Sequence, residues 1–129
     1  MLNKNIKARD KLIFGKYEPE KYAGGVRRFD YMPVHVLEKL VKEKFVCLKD
    51  RQNDAPTVRR FLEFMRKFPA YRAHGYAVEL ARPDYRVSIT GLVNENGYDA
   101  ANDYDEFCRL FRKADEFQAD GYGMYCWYD

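Results

Sequence analysis

Four cations share one side of RQNDAPTVRRFLEFMRKF (Arg51–Phe68). Advancing 100° per residue gathers Arg59, Arg60, Arg66 and Lys67, with Glu63, on one side of a helix. Val58, Phe61, Leu62, Phe64, Met65 and Phe68 fall on the other. Guanidinium and ammonium groups in this array could neutralise phosphates or read guanine edges. Two helices followed by a hairpin is also the winged helix-turn-helix order, in which the second helix enters the major groove. Three details oppose that reading. Glu63 would repel a phosphate at the centre of the face. The connection from Phe45 to Asp54 is long for the turn between two such helices. The hairpin turn Arg82-Pro83-Asp84 carries one cation and one anion, a poor wing tip. Arg59, Glu63 and Lys67 also make an i, i+4 ladder, as expected of a wet helix face. The expectation is therefore a solvated face, with nucleic-acid contact as the alternative.

The tail GYGMYCWYD alternates. Tyr122, Met124, Cys126 and Tyr128 point one way on a strand, Tyr125 and Trp127 the other. Aromatics on an open sheet can stack on unpaired bases. Such platforms come with cations, whereas residues 73–129 hold 5 Lys/Arg against 11 Asp/Glu. Tyr125 and Trp127 are thus expected to meet protein: the N-terminal arm or a second subunit.

Glu95, Asp99, Asp103, Asp105 and Glu106 cluster before the last helix, but without the Ca²⁺-loop spacing. Helix capping and dipole preference account for several of them. Cys47, Cys108 and Cys126 are odd in number and scattered, with no CxxC pair, so no zinc site is suggested. Neither a metal nor another cofactor is expected. A disulfide between Cys108 and Cys126 is the one pairing considered. Of the two histidines, His35 lies near a helix start. His74 sits before the first hairpin strand, with Tyr71, Glu79 and Asp84 as neighbours in sequence. A histidine oriented by a carboxylate is the minimum for general-base work. No nucleophile elbow, P-loop or dinucleotide fingerprint accompanies it, and an enzyme centred on His74 ranks third among the readings.

The elements that must position these groups follow from period and punctuation. Residues 1–29, with KLIFGKY as a short strand and YEPEKYAGGVRRF as loop, read as an arm laid over the domain. A helix starts at Pro33, with Asp30 able to accept from its first amides, and Val34, Leu37, Val41 and Phe45 form its stripe. The basic helix follows, with Asn53 or Asp54 as N-cap and Pro56 in its first turn. Tyr76-Val78-Leu80 and Tyr85-Val87-Ile89 alternate on either side of a Pro-Asp turn, which signals a hairpin. Asp103, with Glu106 three residues on, caps a third helix whose apolar face runs from Tyr104 to Phe117. A last strand spans 122–128. The fold expected is α+β: a small, mostly antiparallel three-stranded sheet, ββαβ in its C-terminal part, packed against two preceding helices. One domain is expected over 1–129, divided into the arm (1–29), a two-helix part (30–69) and the ββαβ part (75–129).

With 47% apolar and 33% charged residues in 129, the chain is globular in composition. It lacks an apolar run of bilayer length and starts MLNKNIKARDK, charged where a signal peptide is apolar. A soluble cytoplasmic protein is expected. The net charge of +3 hides an asymmetry, since residues 1–72 carry 18 Lys/Arg against 9 Asp/Glu. Tyrosine, at 11, outnumbers phenylalanine, at 9, and its hydroxyl wants a partner at a surface or interface. With no catalytic set and two halves of opposite charge, the functional expectation is binding, to a protein partner or to a second copy. Nucleic-acid binding through the basic N-terminal half is the alternative.

Overall fold

Two helices and a strand precede the basic helix. The computed structural model describes residues 1–98 and 101–129. Helix α1 (Ile6–Phe14) starts at Asn5, whose side chain accepts from the Ala8 N–H at 3.2 Å. It stops at Gly15, in the left-handed region at φ 89°, whose N–H donates to Lys11 O. Strand β1 (Val26–Met32) and helix α2 (Val34–Lys42) follow. Then come α3 (Val58–Lys67), β2 (Arg72–Val78), β3 (Val87–Asn94), α4 (Ala101–Phe111), β4 (Glu116–Ala119) and β5 (Met124–Trp127).

The five strands form one sheet in the order β1-β2-β3-β5-β4, antiparallel at every step. The α+β class stands, but the expected three-stranded sheet is corrected to five strands. The segment read as an arm supplies an edge strand, and Glu116–Ala119, read as part of the last helix's face, supplies the other edge. KLIFGKY is the end of α1 and its exit, not a strand. The β2–β3 hairpin forms as expected, yet it lies inside the sheet, with β1 and β5 on its flanks. An interior hairpin cannot project as a wing.

The caps differ too. Thr57, not Asn53 or Asp54, is the N-cap of α3, its Oγ1 accepting from the Arg60 N–H at 3.4 Å. Pro33 occupies the N-cap of α2 without a side-chain bond, because Asp30 is committed to β1. Asp103 lies inside the first turn of α4 and accepts from the Tyr71 hydroxyl at 2.8 Å, both groups buried.

All four helices pack on one face. Phe29, Met32, Ala73, Val87, Ile89, Leu92, Met124 and Cys126 point from the sheet into one core with Leu37 and Leu40 of α2. Phe61, Leu62, Phe64 and Met65 of α3 and Phe107 and Phe111 of α4 join them, and Leu12, Ile13 and Phe14 of α1 pack against its margin. Phe64 stands edge-on to Tyr71, Phe107 and Phe111, with centroids 4.9–5.8 Å apart, arrangements worth about 0.5–1.5 kcal/mol each beyond area. Phe61 and Met65 have no exposed surface, so the apolar side of the basic helix is its packed side.

A charged knot secures α1. Arg9 and Asp10 are both buried. The Arg9 guanidinium donates to Asp10 Oδ1, to the Val78 carbonyl and to the Tyr22 hydroxyl, each at 2.9 Å. It lies 4.9 Å over the Tyr85 ring, and Tyr22 in turn donates to Asp10 Oδ2. Every strong partner is satisfied, as a buried ion pair requires.

Candidate functional site

Among the described residues no helix covers the other face of the sheet. Alternation along the strands places Arg28 of β1, Arg72, His74 and Tyr76 of β2, and Ser88 and Val93 of β3 on it. Tyr125 and Trp127 of β5 and Glu116 and Gln118 of β4 complete it. The expected division of the last strand holds: Met124, Cys126 and Tyr128 are buried, while Tyr125 and Trp127 are half-buried on the uncovered side. Tyr122 lies outside the strand and is exposed. Of residues 1–29, Arg28 shares a hollow with Tyr125, while the segment before it bonds elsewhere, through Tyr17 to Glu79 (2.9 Å), Arg9 to Val78 at the end of β2 and Asn3 to Glu43.

His74 forms the floor. Its ring lies across Gly91, where a Cβ would run into the Cys126 carbonyl and sit 2.6 Å from His74 Cε1. Glycine is the residue that lets the imidazole cross β3. Nε2 donates to the Cys126 carbonyl at 2.8 Å, which leaves Nδ1 of the neutral ring to accept from the Thr90 hydroxyl at 2.9 Å. Tyr125 stacks above it at 5.1 Å. Burial pushes the His74 pKa below its usual value, with Arg28 adding to the effect, while the bond to Cys126 and the charge of Asp30 oppose it. With both nitrogens engaged, the ring is built as a strut. Its expected neighbours lie elsewhere: Glu79 accepts from Tyr17, Asp84 from Arg82 and Arg86, and Tyr71 donates to Asp103.

Above His74 a hollow of about 220 Å³ is walled by Arg28, Asp30, Tyr31, Val93, Glu95 and Tyr125. Tyr31 donates to Glu95 at 2.6 Å. One strand further along the hairpin, Arg86 is fixed by Asp84 (2.9 Å), the Ser88 hydroxyl (2.9 Å) and the Tyr76 hydroxyl (2.9 Å). Hydrogen bonds from Arg86, then from Arg82, hold the Asp84 carboxyl below the usual range. The face therefore mixes cations, carboxylates and aromatic rings, most of them already oriented by neighbours.

The basic helix face is divided. Arg66 pairs with Glu38 of α2 at 3.0 Å and Lys67 with Glu106 of α4 at 2.8 Å. Arg59 and Arg60 are exposed and have no ion pair among the described residues. The four cations lie on the helical side of the molecule, the aromatics on the sheet side. The acidic residues also separate: Glu95 serves Tyr31, Asp103 serves Tyr71, Glu106 serves Lys67, Asp105 is exposed, and Asp99 lies outside the described residues. The three cysteines are free thiols. Burial pushes that of Cys126 up to about 12, and His35 is exposed on α2.

Arg28, Tyr76 and Arg86 were not singled out from the sequence. Arg86 sits on the polar side of the hairpin alternation, a readable signal. Arg28 belongs to a strand that the paired glycines Gly24 and Gly25 disguise as loop.

Fold and site together define a two-layer α+β protein whose described helices lie on one face of an antiparallel sheet and leave the other uncovered. Compared with family models, curated proteins and solved structures, the chain matches none. Among the described residues no helix is long and apolar enough to cross a membrane.

Proposed function

We propose that this protein works by binding, and that it meets a protein partner through the uncovered sheet face. The observation that carries this reading is the placement of all four helices on one side, which leaves Tyr76, Tyr125 and Trp127 on the other among Arg28, Arg72 and Arg86. Tyrosine, tryptophan and arginine are the residues enriched where protein surfaces meet. Asp30, Glu95 and Glu116 on or beside the same face disfavour a polyanion and suit a partner of mixed charge.

Site-specific photocrosslinking in cells tests it. A benzoylphenylalanine placed at Tyr76 should give protein adducts that disappear when Tyr125→Glu is added, while the same probe at Arg59 gives none of them. Adducts of a second copy would identify self-association. Adducts that form equally from both faces, or none from the sheet face, would overturn the proposal. Nucleic-acid binding through the helical side rests on Arg59 and Arg60 alone, since Arg66 and Lys67 are already paired. It predicts affinity for a random duplex that falls with salt at a slope of about 2.

A further inference from the structure

We propose that the hollow between the start of α4 and the β4–β5 turn is a binding site for a methylated ammonium group. The hollow holds about 380 Å³ and is lined by Tyr98, Tyr104, Asp105, Ala119, Asp120 and Gly121, none of which belongs to the uncovered sheet face. Tyr98 and Tyr104 form an aromatic corner. Their ring centroids lie 5.2 Å apart with the planes at 67°, and the two residues are 44% and 36% exposed. A cation drawn to a ring face sits within about 6 Å of its centroid, so at this spacing one ammonium reaches both rings. A close backbone approach holds the corner in place. A Cβ at Gly97 would lie 2.5 Å from the Gly121 backbone, so glycine is what lets the exit of β3, with Tyr98 next in the chain, rest against the turn.

Charge selects the ligand. Among the described residues, the charged groups lining the hollow are the carboxylates of Asp105 and Asp120. Asp120 Oδ1 accepts from the Tyr122 N–H at 2.8 Å and the Gly123 N–H at 3.0 Å, and Gln118 Nε2 donates to its two oxygens at 3.3 and 3.2 Å. The bonds from Tyr122 and then Gly123 hold this carboxyl below the usual range. Every one of these donors is neutral, so the negative charge is oriented but not cancelled. Asp105 is exposed and joins no ion pair among the described residues, since Arg109, one turn further on, pairs with Glu106 at 3.4 Å. Dipole preference at a helix start accounts for Asp105 but not for Asp120, which belongs to the turn. A hard metal ion needs six or so oxygen ligands, and no group of three metal-ligating side chains occurs among the described residues. Two ring faces beside two carboxylates suit an organic cation, whose methyl groups pack on the rings while its charge meets the anions.

The probes are acetyl-trimethyllysine-amide, its uncharged tert-butyl analogue and tetramethylammonium, and the readout is chemical shift in the labelled whole chain at constant ionic strength. The trimethyllysine compound should shift the Asp105 and Gly121 amides and the Tyr98 and Tyr104 ring resonances. The tert-butyl analogue should bind at least about tenfold more weakly. Tyr104→Leu, a change at an exposed ring, should weaken binding about fivefold, whereas Tyr104→Phe keeps the ring face and should bind as wild type does. Asp105→Asn should weaken it about threefold. Tetramethylammonium binding as tightly as the trimethyllysine compound would assign the site to a small quaternary amine. Binding of the trimethyllysine compound alone would assign it to a peptide side chain, and both results uphold the ammonium site. Equal affinity for the charged and uncharged analogues, unchanged affinity in Tyr104→Leu, or no shift at about 10 mM of either cation would overturn it.

Discussion

Removing the Asp10 carboxylate should be among the most damaging single changes in this chain. Arg9 and Asp10 are 1% and 0% exposed, so Asp10→Ala leaves a guanidinium with no anion and no water. Its bonds to Val78 and Tyr22 remain, but both acceptors are neutral. Tyr22 loses its acceptor as well. Breaking one side of a buried pair costs about 3–5 kcal/mol, a large part of the roughly 5–15 kcal/mol that a domain has in total. With a urea slope of about 2 kcal/mol/M, the midpoint should fall by about 1.5–2.5 M. Trp127, the only tryptophan, reports the transition by its emission. Replacing the whole knot, as Arg9→Met with Asp10→Leu and Tyr22→Phe, removes the stranded charge along with its partners. That variant should lose less than Asp10→Ala alone, although the Val78 carbonyl then lacks a donor. A loss below about 1 kcal/mol in Asp10→Ala, or a triple variant that falls as far as the single one, would refute the reasoning.

Other outcomes follow from the same geometry. His74 is held neutral in the fold, so below its ordinary pKa of about 6.5 the unfolded chain binds the extra proton and stability drains as pH falls. Between about pH 7.5 and 5, wild type should lose more stability than His74→Gln, and equal losses would contradict this. Gly91→Ala should cost more than about 2 kcal/mol by thermal melting, because its Cβ would run into the Cys126 backbone carbonyl and meet the buried His74 ring at 2.6 Å. Lys44, at φ 67° after α2, occupies a left-handed position where the Phe45 N–H closes back onto Leu40 O. Lys44→Gly should therefore raise stability by about 0.5–1 kcal/mol, and a lower melting point would count against it.

Periodic elements were the legible ones. α3 shows a full apolar stripe from Val58 to Met65, and the β2–β3 hairpin has period 2 on both sides of a turn, so local pattern and final burial agree. α1 was hidden because its buried side carries Arg9 and Asp10, and charges at core positions erase the apolar stripe that marks a helix. β1 was hidden because it is an edge strand with a register shift between Phe29 and Met32. Its Arg27 serves the core side by lying 3.8 Å over the Phe14 ring. β4 has four residues, mostly exposed, too few to establish any alternation.

The amino-acid sequence by itself determined the α+β class, the amphipathic α3, the central hairpin and the division of the last strand between Cys126 and its neighbours Tyr125 and Trp127. Each rests on residues within a few positions of one another, where side-chain direction follows directly from backbone period. Only the tertiary structure decided that the sheet has five strands, that the helices share one face, and that Arg28, His74, Tyr76 and Trp127 meet on the other. Those facts depend on pairings between segments dozens of residues apart. Strand order and the sharing of a buried charge are settled by long-range hydrogen bonding and packing, which no local pattern encodes.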